Sequence, residues 1–257
     1  GIARDLSAMS KSISFKHPAN LKLENMALNE VEGHGHTIAG VCSDVCHAFA
    51  SIVIKGVNNQ GSSPDWLVNK LNKFGQKSIS PLVDISNYVM FLLGRPSHIF
   101  DLDKIYKKEQ TLEIREGNTT EKLVLLNGEE IENLADTIVI ADSTGPLALA
   151  GIMGGRSTMV TADTTNILVE SAVWLPALIR GKARRFSLVS EAASRFEKGV
   201  DPETLEADFQ IICNLILEIT GGTLGNVYFE NFFDKSEKKV TFSKKRCNDT
   251  LGINVTN

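Results

Sequence analysis

Four polar residues stand in or beside apolar runs, where their side chains could do chemistry. Ser86 and Asn87 interrupt the apolar stretch Val83 to Leu93, and His98 follows just past Gly94. Glu170 ends the run Ile167-Leu-Val-Glu170. A histidine can move a proton, an amide or hydroxyl can hold a water or an oxyanion, and a carboxyl group can recognise a ligand hydroxyl. Each residue also has a structural reading. Asn87 could cap or pair with backbone, His98 could be a satisfied half-buried ring, and Glu170 could be an ion-paired buried carboxylate. Spacing alone favours these structural readings. Gly151-Ile-Met-Gly154-Gly155 follows a strand-like run but matches neither G-x-G-x-x-G nor the lysine-bearing phosphate loop. It reads as a tight turn whose bare backbone lets a ligand come close.

Metal chemistry is not indicated. Cys42-x-x-x-Cys46-His47 has no second ligand pair at zinc-like spacing, and His34-Gly-His36 reads as two exposed loop histidines. Arg180, Lys182, Arg184 and Arg185 form a dense basic stretch, with Arg195 and Lys198 nearby. An RNA contact and an ordinary solvated helix face are equally compatible with it.

The elements that must position these residues are well punctuated. Ser63-Pro64 opens a helix with Leu67, Leu71 and Phe74 on one face and Gly75 as its left-handed cap. Ser80-Pro81 opens a second, with Ile85, Val89 and Leu92 on one face and Gly94 after it. A third is predicted from Asp201-Pro202 to Gly221-Gly222. Strands are predicted over 49–54, 112–115, 123–126, 138–141, 147–150, 167–170 and 227–229, with Asn127-Gly128 as a type I′ hairpin turn. Clustered strands with helices in separate blocks imply an α+β fold, mostly antiparallel strands in a layered, sandwich-like core with flanking helices.

The 257 residues, 42% hydrophobic and 23% charged, suffice for one large core with a small appendage. The sequence contains no run of roughly 18 apolar residues and no signal-peptide pattern at its start, so the expected address is cytoplasmic, with no membrane partner. Four scattered cysteines fit a reducing compartment. A net charge of -4 excludes binding of nucleic acid by overall electrostatics and leaves only a local basic patch. Residues 1–11 read as the end of a preceding domain, 12–238 as the main domain, and 239–257 as the start of a following one, with a strand-like alternation at Val240 and Phe242 and a short helix after it.

Four runs in order, Asp84 to Asp103, Ala148 to Gly155 (ALAGIMGG), Asn166 to Ala172 (NILVESA) and Ala183 to Pro202 (ARRFSLVSEAASRFEKGVDP), resemble the tRNA-editing module of the bacterial-type phenylalanyl-tRNA synthetase beta subunit. The resemblance implies a PheT/TilS-like editing fold. It also implies hydrolysis of tyrosine wrongly esterified to the phenylalanine tRNA, within a complex that charges that tRNA with phenylalanine. The implied pocket holds Ser86, Asn87 and His98, Ala150 and Gly151, Glu170, and Ser190 and Ala192. Glu170 and Gly151 would recognise the tyrosine hydroxyl, and His98 with Asn87 would lie nearer the ester. The implied partners are the acceptor end of the tRNA, held by Arg180, Lys182, Arg184 and Arg185, and the synthetase alpha subunit. No metal or cofactor is expected here, since ATP and magnesium serve the parent synthetase reaction. No aminoacylation is expected of this chain alone.

Such a second site has a physical reason. An apolar pocket built for phenylalanine rejects an analogue that adds a hydroxyl only about a hundredfold. An editing pocket must select for that hydroxyl, by offering a buried partner that phenylalanine would leave unpaired. Two departures from the family pattern bear on pocket shape: Ser86 stands where threonine is usual, and Arg95-Pro96-Ser97-His98 where Gln-Pro-Met-His is common. The alternative is a non-catalytic module that docks tRNA or braces the synthetase tetramer. A small-molecule hydrolase unrelated to tRNA is a third reading.

Overall fold

The computed structural model describes residues 2–10, 12–14, 37–105, 111–234, 236, 239–252 and 254. His34-Gly-His36 lies outside the described residues. In chain order the first elements are α1 (Ile2–Met9), β1 (Thr37–Ala39), β2 (Cys46–Lys55), α2 (Asp65–Lys73), α3 (Pro81–Leu93) and β3 (His98–Asp101). Then come β4 (Thr111–Glu116), β5 (Lys122–Val124), β6 (Glu130–Glu132), β7 (Ile138–Asp142), β8 (Gly145–Leu149), β9 (Met153–Gly154) and β10 (Asn166–Trp174). The chain continues through α4 (Pro176–Ile179), α5 (Lys182–Arg185), α6 (Glu191–Phe196), α7 (Leu205–Thr220), β11 (Thr223–Asn231) and α8 (Lys244–Leu251).

The strands form a five-stranded sheet, β1-β4-β7-β8-β9, a four-stranded sheet, β11-β2-β10-β3, and the hairpin β5-β6. Only β1 with β4 is parallel among the described ladders. One apolar core lies between the two larger sheets, with Phe49, Phe100, Ile140, Leu168 and Trp174 in it. A second lies between the four-stranded sheet and α2, α3 and α7, with Ile52, Leu67, Ile85, Val169 and Phe209. The four-stranded sheet is therefore covered on both faces. This explains why β2 and β10 read as nearly unbroken apolar runs rather than alternating ones. The architecture is the expected α+β layering with mostly antiparallel strands.

Buried carboxylates fix α3 at both ends. At its start, Asp84 is fully buried and accepts hydrogen bonds from Ser63 Oγ (2.6 Å), Ser78 Oγ (2.5 Å) and the Ile79 N–H (2.8 Å). Past its end, Gly94 takes the left-handed conformation (φ 76°) that turns the chain, which is the glycine cap the sequence predicts. The next residue, Arg95, is buried and its Nε pairs with Asp208 of α7 at 3.1 Å. Burial pushes the Arg95 guanidinium down and the Asp208 carboxyl up from their ordinary pKa values, and the pairing opposes both shifts.

Three local expectations are corrected. α7 starts at Leu205 rather than at Pro202, because the Asp201 carbonyl accepts from Arg95 and the helical ladder begins with the Asp208 N–H bonded to the Thr204 carbonyl. The hairpin at Asn127-Gly128 is present, but only Gly128 has a positive φ (88°), so the turn is not type I′. Val240 and Phe242 are exposed and belong to no strand, since nothing pairs with them among the described residues. The helix after them is α8. No helix among the described residues is long and apolar enough to cross a membrane.

Removing one partner of a buried pair leaves the other charge uncompensated. Asp208→Ala is therefore expected to cost about 3–5 kcal/mol of stability in urea denaturation.

Candidate active site

The antiparallel register places Glu170 of β10 directly opposite His98 of β3. Directly opposed residues project from the same face of a sheet, about 4.5–5.5 Å apart at Cβ. That face is the one carrying Phe100, Leu168 and Trp174, so both side chains look toward the five-stranded sheet. Waiting there is the β8–β9 turn. A cavity of about 70 Å³ is lined by His98, Ala148, Ala150, Gly151, Glu170 and Trp174, together with Phe196 and Ala192 of α6. An outer groove of about 340 Å³ is lined by Ser86, Asn87, Met90, Val189, Ser190 and Glu191, among others. Pro96, Ser97, His98, Ile152, Met153, Gly154 and Ala192 line both spaces, which makes them the throat between groove and cavity.

The electrostatics of the inner cavity follow from burial. Glu170 is 7% exposed, and desolvation pushes its carboxyl up from 4.5 to about 8. No hydrogen-bond partner engages it among the described residues, so at neutral pH it is a neutral acid that can both donate and accept. The same desolvation lowers His98 from 6.5 to about 4, so its ring is also neutral. Its Nε2 is shut off from solvent and has no hydrogen-bond partner. Facing each other uncharged, the two groups avoid the cost of an ion pair in an apolar slot.

The glycine turn has two separate jobs. Gly151 sits at φ 67°, and a Cβ there would lie 2.8 Å from Trp174 and 3.2 Å from Phe196. Its N–H and carbonyl make no hydrogen bond among the described residues, whereas the N–H groups of Ala150 and Ile152 bond to Ile138 and Leu149 carbonyls. Gly154 lies under the imidazole: a Cβ there would come within 2.2 Å of His98 Cε1 and 2.6 Å of Nε2. His98 occupies its place only because residue 154 has no side chain.

Ser190 caps α6, accepting from the Ala193 N–H at 3.2 Å, and its hydroxyl donates to the Ile152 carbonyl at 2.6 Å. Its hydrogen bonds thus join α6 to the turn. Ser86 Oγ lies 3.0 Å from the Ser97 carbonyl and 2.9 Å from Ser97 Oγ, which makes a hydroxyl pair on the groove wall. Asn87, half-buried one residue on, lines the same wall. Arg95 brings no charge into the pocket, since it turns away into the α3–α7 junction.

The basic stretch divides. Arg185 donates to the Ala135 and Asn133 carbonyls, and Arg180 to the Glu197 carbonyl at 3.3 Å. Arg184 is exposed and Lys182 half-buried. Trp174 and Phe196 are site residues that sequence reasoning missed, and Gly154 was read only as part of the tight turn. Trp174 was within reach, since it lies four residues beyond Glu170 on one strand and so on the same face. Cys46 is buried and His47 packs edge-on to Phe233, and no metal-binding cluster occurs among the described residues.

The B3/4 domain family matches residues 45–221, the span that contains every residue of groove and cavity. The chain belongs to this family. A phenylalanine–tRNA ligase beta subunit from Burkholderia lata is 43% identical over 99% of this chain and 30% of its own length. One from Francisella tularensis is 38% identical over 99% of this chain and 31% of its own. This B3/4 chain therefore spans about 30% of the length of the curated relatives it matches. A solved N-terminal fragment of the phenylalanyl-tRNA synthetase beta subunit from Pyrococcus horikoshii aligns with TM-score 0.46 and 14% identity over 89% of this chain and 63% of that chain.

Two predictions test this B3/4 site. Gly154→Ala drives a methyl group into the imidazole. It should destabilise the domain by about 1–3 kcal/mol, and the expelled His98 ring should titrate nearer 6.5 than 4 by NMR. The Glu170 carboxyl has a folded pKa above its unfolded one. The stability linked to it is fully present below pH 4.5 and is lost as pH rises toward 8. Thermal melts should thus show Glu170→Gln gaining on wild type across that window, by an amount on the order of a few kcal/mol.

Proposed function

We propose that this domain hydrolyses the ester of tyrosine mischarged onto the phenylalanine tRNA, as the proofreading part of a phenylalanine–tRNA ligase. One observation carries the reading: a buried, unpartnered carboxyl group shares a cavity with an open backbone turn and a neutral imidazole. A tyrosine ring entering that cavity brings a hydroxyl that is both donor and acceptor. The neutral Glu170 carboxyl accepts from the phenol, and the free Gly151 N–H donates to its oxygen. A phenylalanine ring would leave Glu170 unsatisfied and unsolvated, at a cost of about 1–3 kcal/mol. Discrimination thus runs opposite to that of an apolar synthetic pocket.

With the ring in the cavity, the ester falls at the throat and groove, beside His98, Asn87 and the Ser86–Ser97 hydroxyls. An aminoacyl ester is already activated, so holding a water in line and stabilising the oxyanion suffices without a nucleophilic triad. A histidine titrating near 4 is a weak base, so His98 acts mainly by orienting that water. Asn87 and the hydroxyl pair supply hydrogen bonds to the developing oxyanion. No step calls for a metal or cofactor. The exposed Arg184, with Lys182 and Arg180, offers charge to the tRNA phosphates, and the alpha subunit completes the synthetase.

The test is deacylation of Tyr-tRNA and Phe-tRNA by the full-length subunit in its native assembly. Glu170→Ala should lower the Tyr-over-Phe preference by about 10–100-fold, and His98→Ala should slow both esters by about a hundredfold. Unchanged preference in Glu170→Ala would sink the assignment of the cavity.

A further inference from the structure

The guanidinium that anchors α3 to α7 has one donor left over. Arg95 is 1% exposed. Its Nε pairs with Asp208 at 3.1 Å, and its Nη2 donates to Thr204 Oγ1 at 3.1 Å and to the Asp201 carbonyl. Its Nη1 is shut off from solvent and has no acceptor. A buried donor on a cation is costly to leave unmet, and the acceptor that complements it best is an anion.

Arg95 lines a cleft of about 490 Å³ beside α6, together with Gly94, Ser194, Lys198 and Thr204. With so little exposure, its guanidinium belongs to the floor of that cleft. Other donors surround it. Lys198 is exposed, and its Nζ meets only Ser194 Oγ, at 3.3 Å. The ammonium donates in that contact, so the Ser194 hydroxyl keeps its own hydrogen to give. Thr204 precedes the 16-residue helix α7 without a side-chain cap, so the first-turn N–H groups and the positive end of the helix dipole point back past it.

Two carboxylates line the same cleft, and both are engaged. Glu191 is held by Arg195 at 2.5 Å, and Asp201 Oδ1 accepts from the Glu203 N–H at 3.0 Å. The three cationic side chains of the lining, Arg95, Arg195 and Lys198, outnumber them. The donors also differ in kind and direction: a guanidinium at the floor, an ammonium and a hydroxyl from α6, and N–H groups from α7. A carboxylate offers two oxygens in one plane, whereas a phosphate dianion offers three around a tetrahedral centre and so can meet donors from several sides. The cleft is larger than a bare phosphate, which leaves room for a small group esterified to it.

We infer that the Arg95–Lys198 cleft is a binding site for a phosphate dianion, free or as the monoester of a small molecule. The site is separate from the inner cavity and does not rest on the ester-hydrolysis reading.

The test is equilibrium binding of inorganic phosphate, glycerol 3-phosphate and dimethyl phosphate to the full-length subunit in its native assembly, at about pH 8, where the first two are dianions. Arg95 itself is a poor target, since its loss would strand Asp208. Lys198→Ala and Ser194→Ala instead remove exposed donors and leave that buried pair intact. Phosphate held elsewhere in the assembly is common to wild type and variants, so the cleft is the site that responds to the substitutions. Lys198→Ala should weaken it about tenfold and Ser194→Ala about threefold. Dimethyl phosphate, a monoanion with two free oxygens, should bind about tenfold more weakly than phosphate or not at all. Glycerol 3-phosphate binding as well as phosphate would support the site with a phosphorylated small molecule as its ligand, and its exclusion would support the site with free phosphate. Phosphate binding identical in wild type and both variants would overturn the assignment, as would dimethyl phosphate binding as tightly as phosphate.

Discussion

A carboxyl group buried without a partner survives in a fold only as a neutral acid, and much of this domain is arranged around one. Glu170 stands in the middle of a strand that is covered on both faces, which leaves it only 7% exposed. Its cross-strand neighbour His98 is held neutral by the same dryness. Either group alone is a cost to stability. Together, facing a turn with an unused N–H, they form a polar end to an apolar slot.

Position matters as much as chemistry here, and buried ionic contacts set it. The three donors on Asp84 fix where α3 begins, and the Arg95–Asp208 pair fixes where it stops relative to α7. Ser86 and Asn87 lie between those anchors, which sets the groove wall relative to the sheet. On the opposite wall, the Ser190 hydroxyl ties α6 to the β8–β9 turn. Gly154 contributes by what it lacks, since any side chain would evict the imidazole.

Much of this was legible in the sequence. Pro-initiated, Gly-terminated helices announced α2 and α3 almost to the residue, because capping is local chemistry. Seven strands were anticipated, but β1, β3, β6 and β9 were not, and β3 is the one that carries His98. β10 was cut short at Glu170, since Glu170-Ser171 looks like an exit to solvent when in fact both residues are buried. The residues of the cavity came from resemblance rather than from spacing: His98 and Glu170 are 72 positions apart, and only strand register brings them together. The fate of Arg95 was unreadable for the same reason, since its partner Asp208 is 113 positions away. Those long-range pairings depend on topology, which a single sequence encodes only weakly.

The throat formed by Pro96, Ser97 and His98 separates an enclosed inner cavity from an open outer groove. A ring lodged beyond it is surrounded by Trp174, Phe196 and Ala148, while whatever is attached to that ring stays in an open furrow. A ligand that filled the inner cavity would itself be the stopper, keeping bulk solvent from the acid at the far end while the rest of it stayed on the wet side.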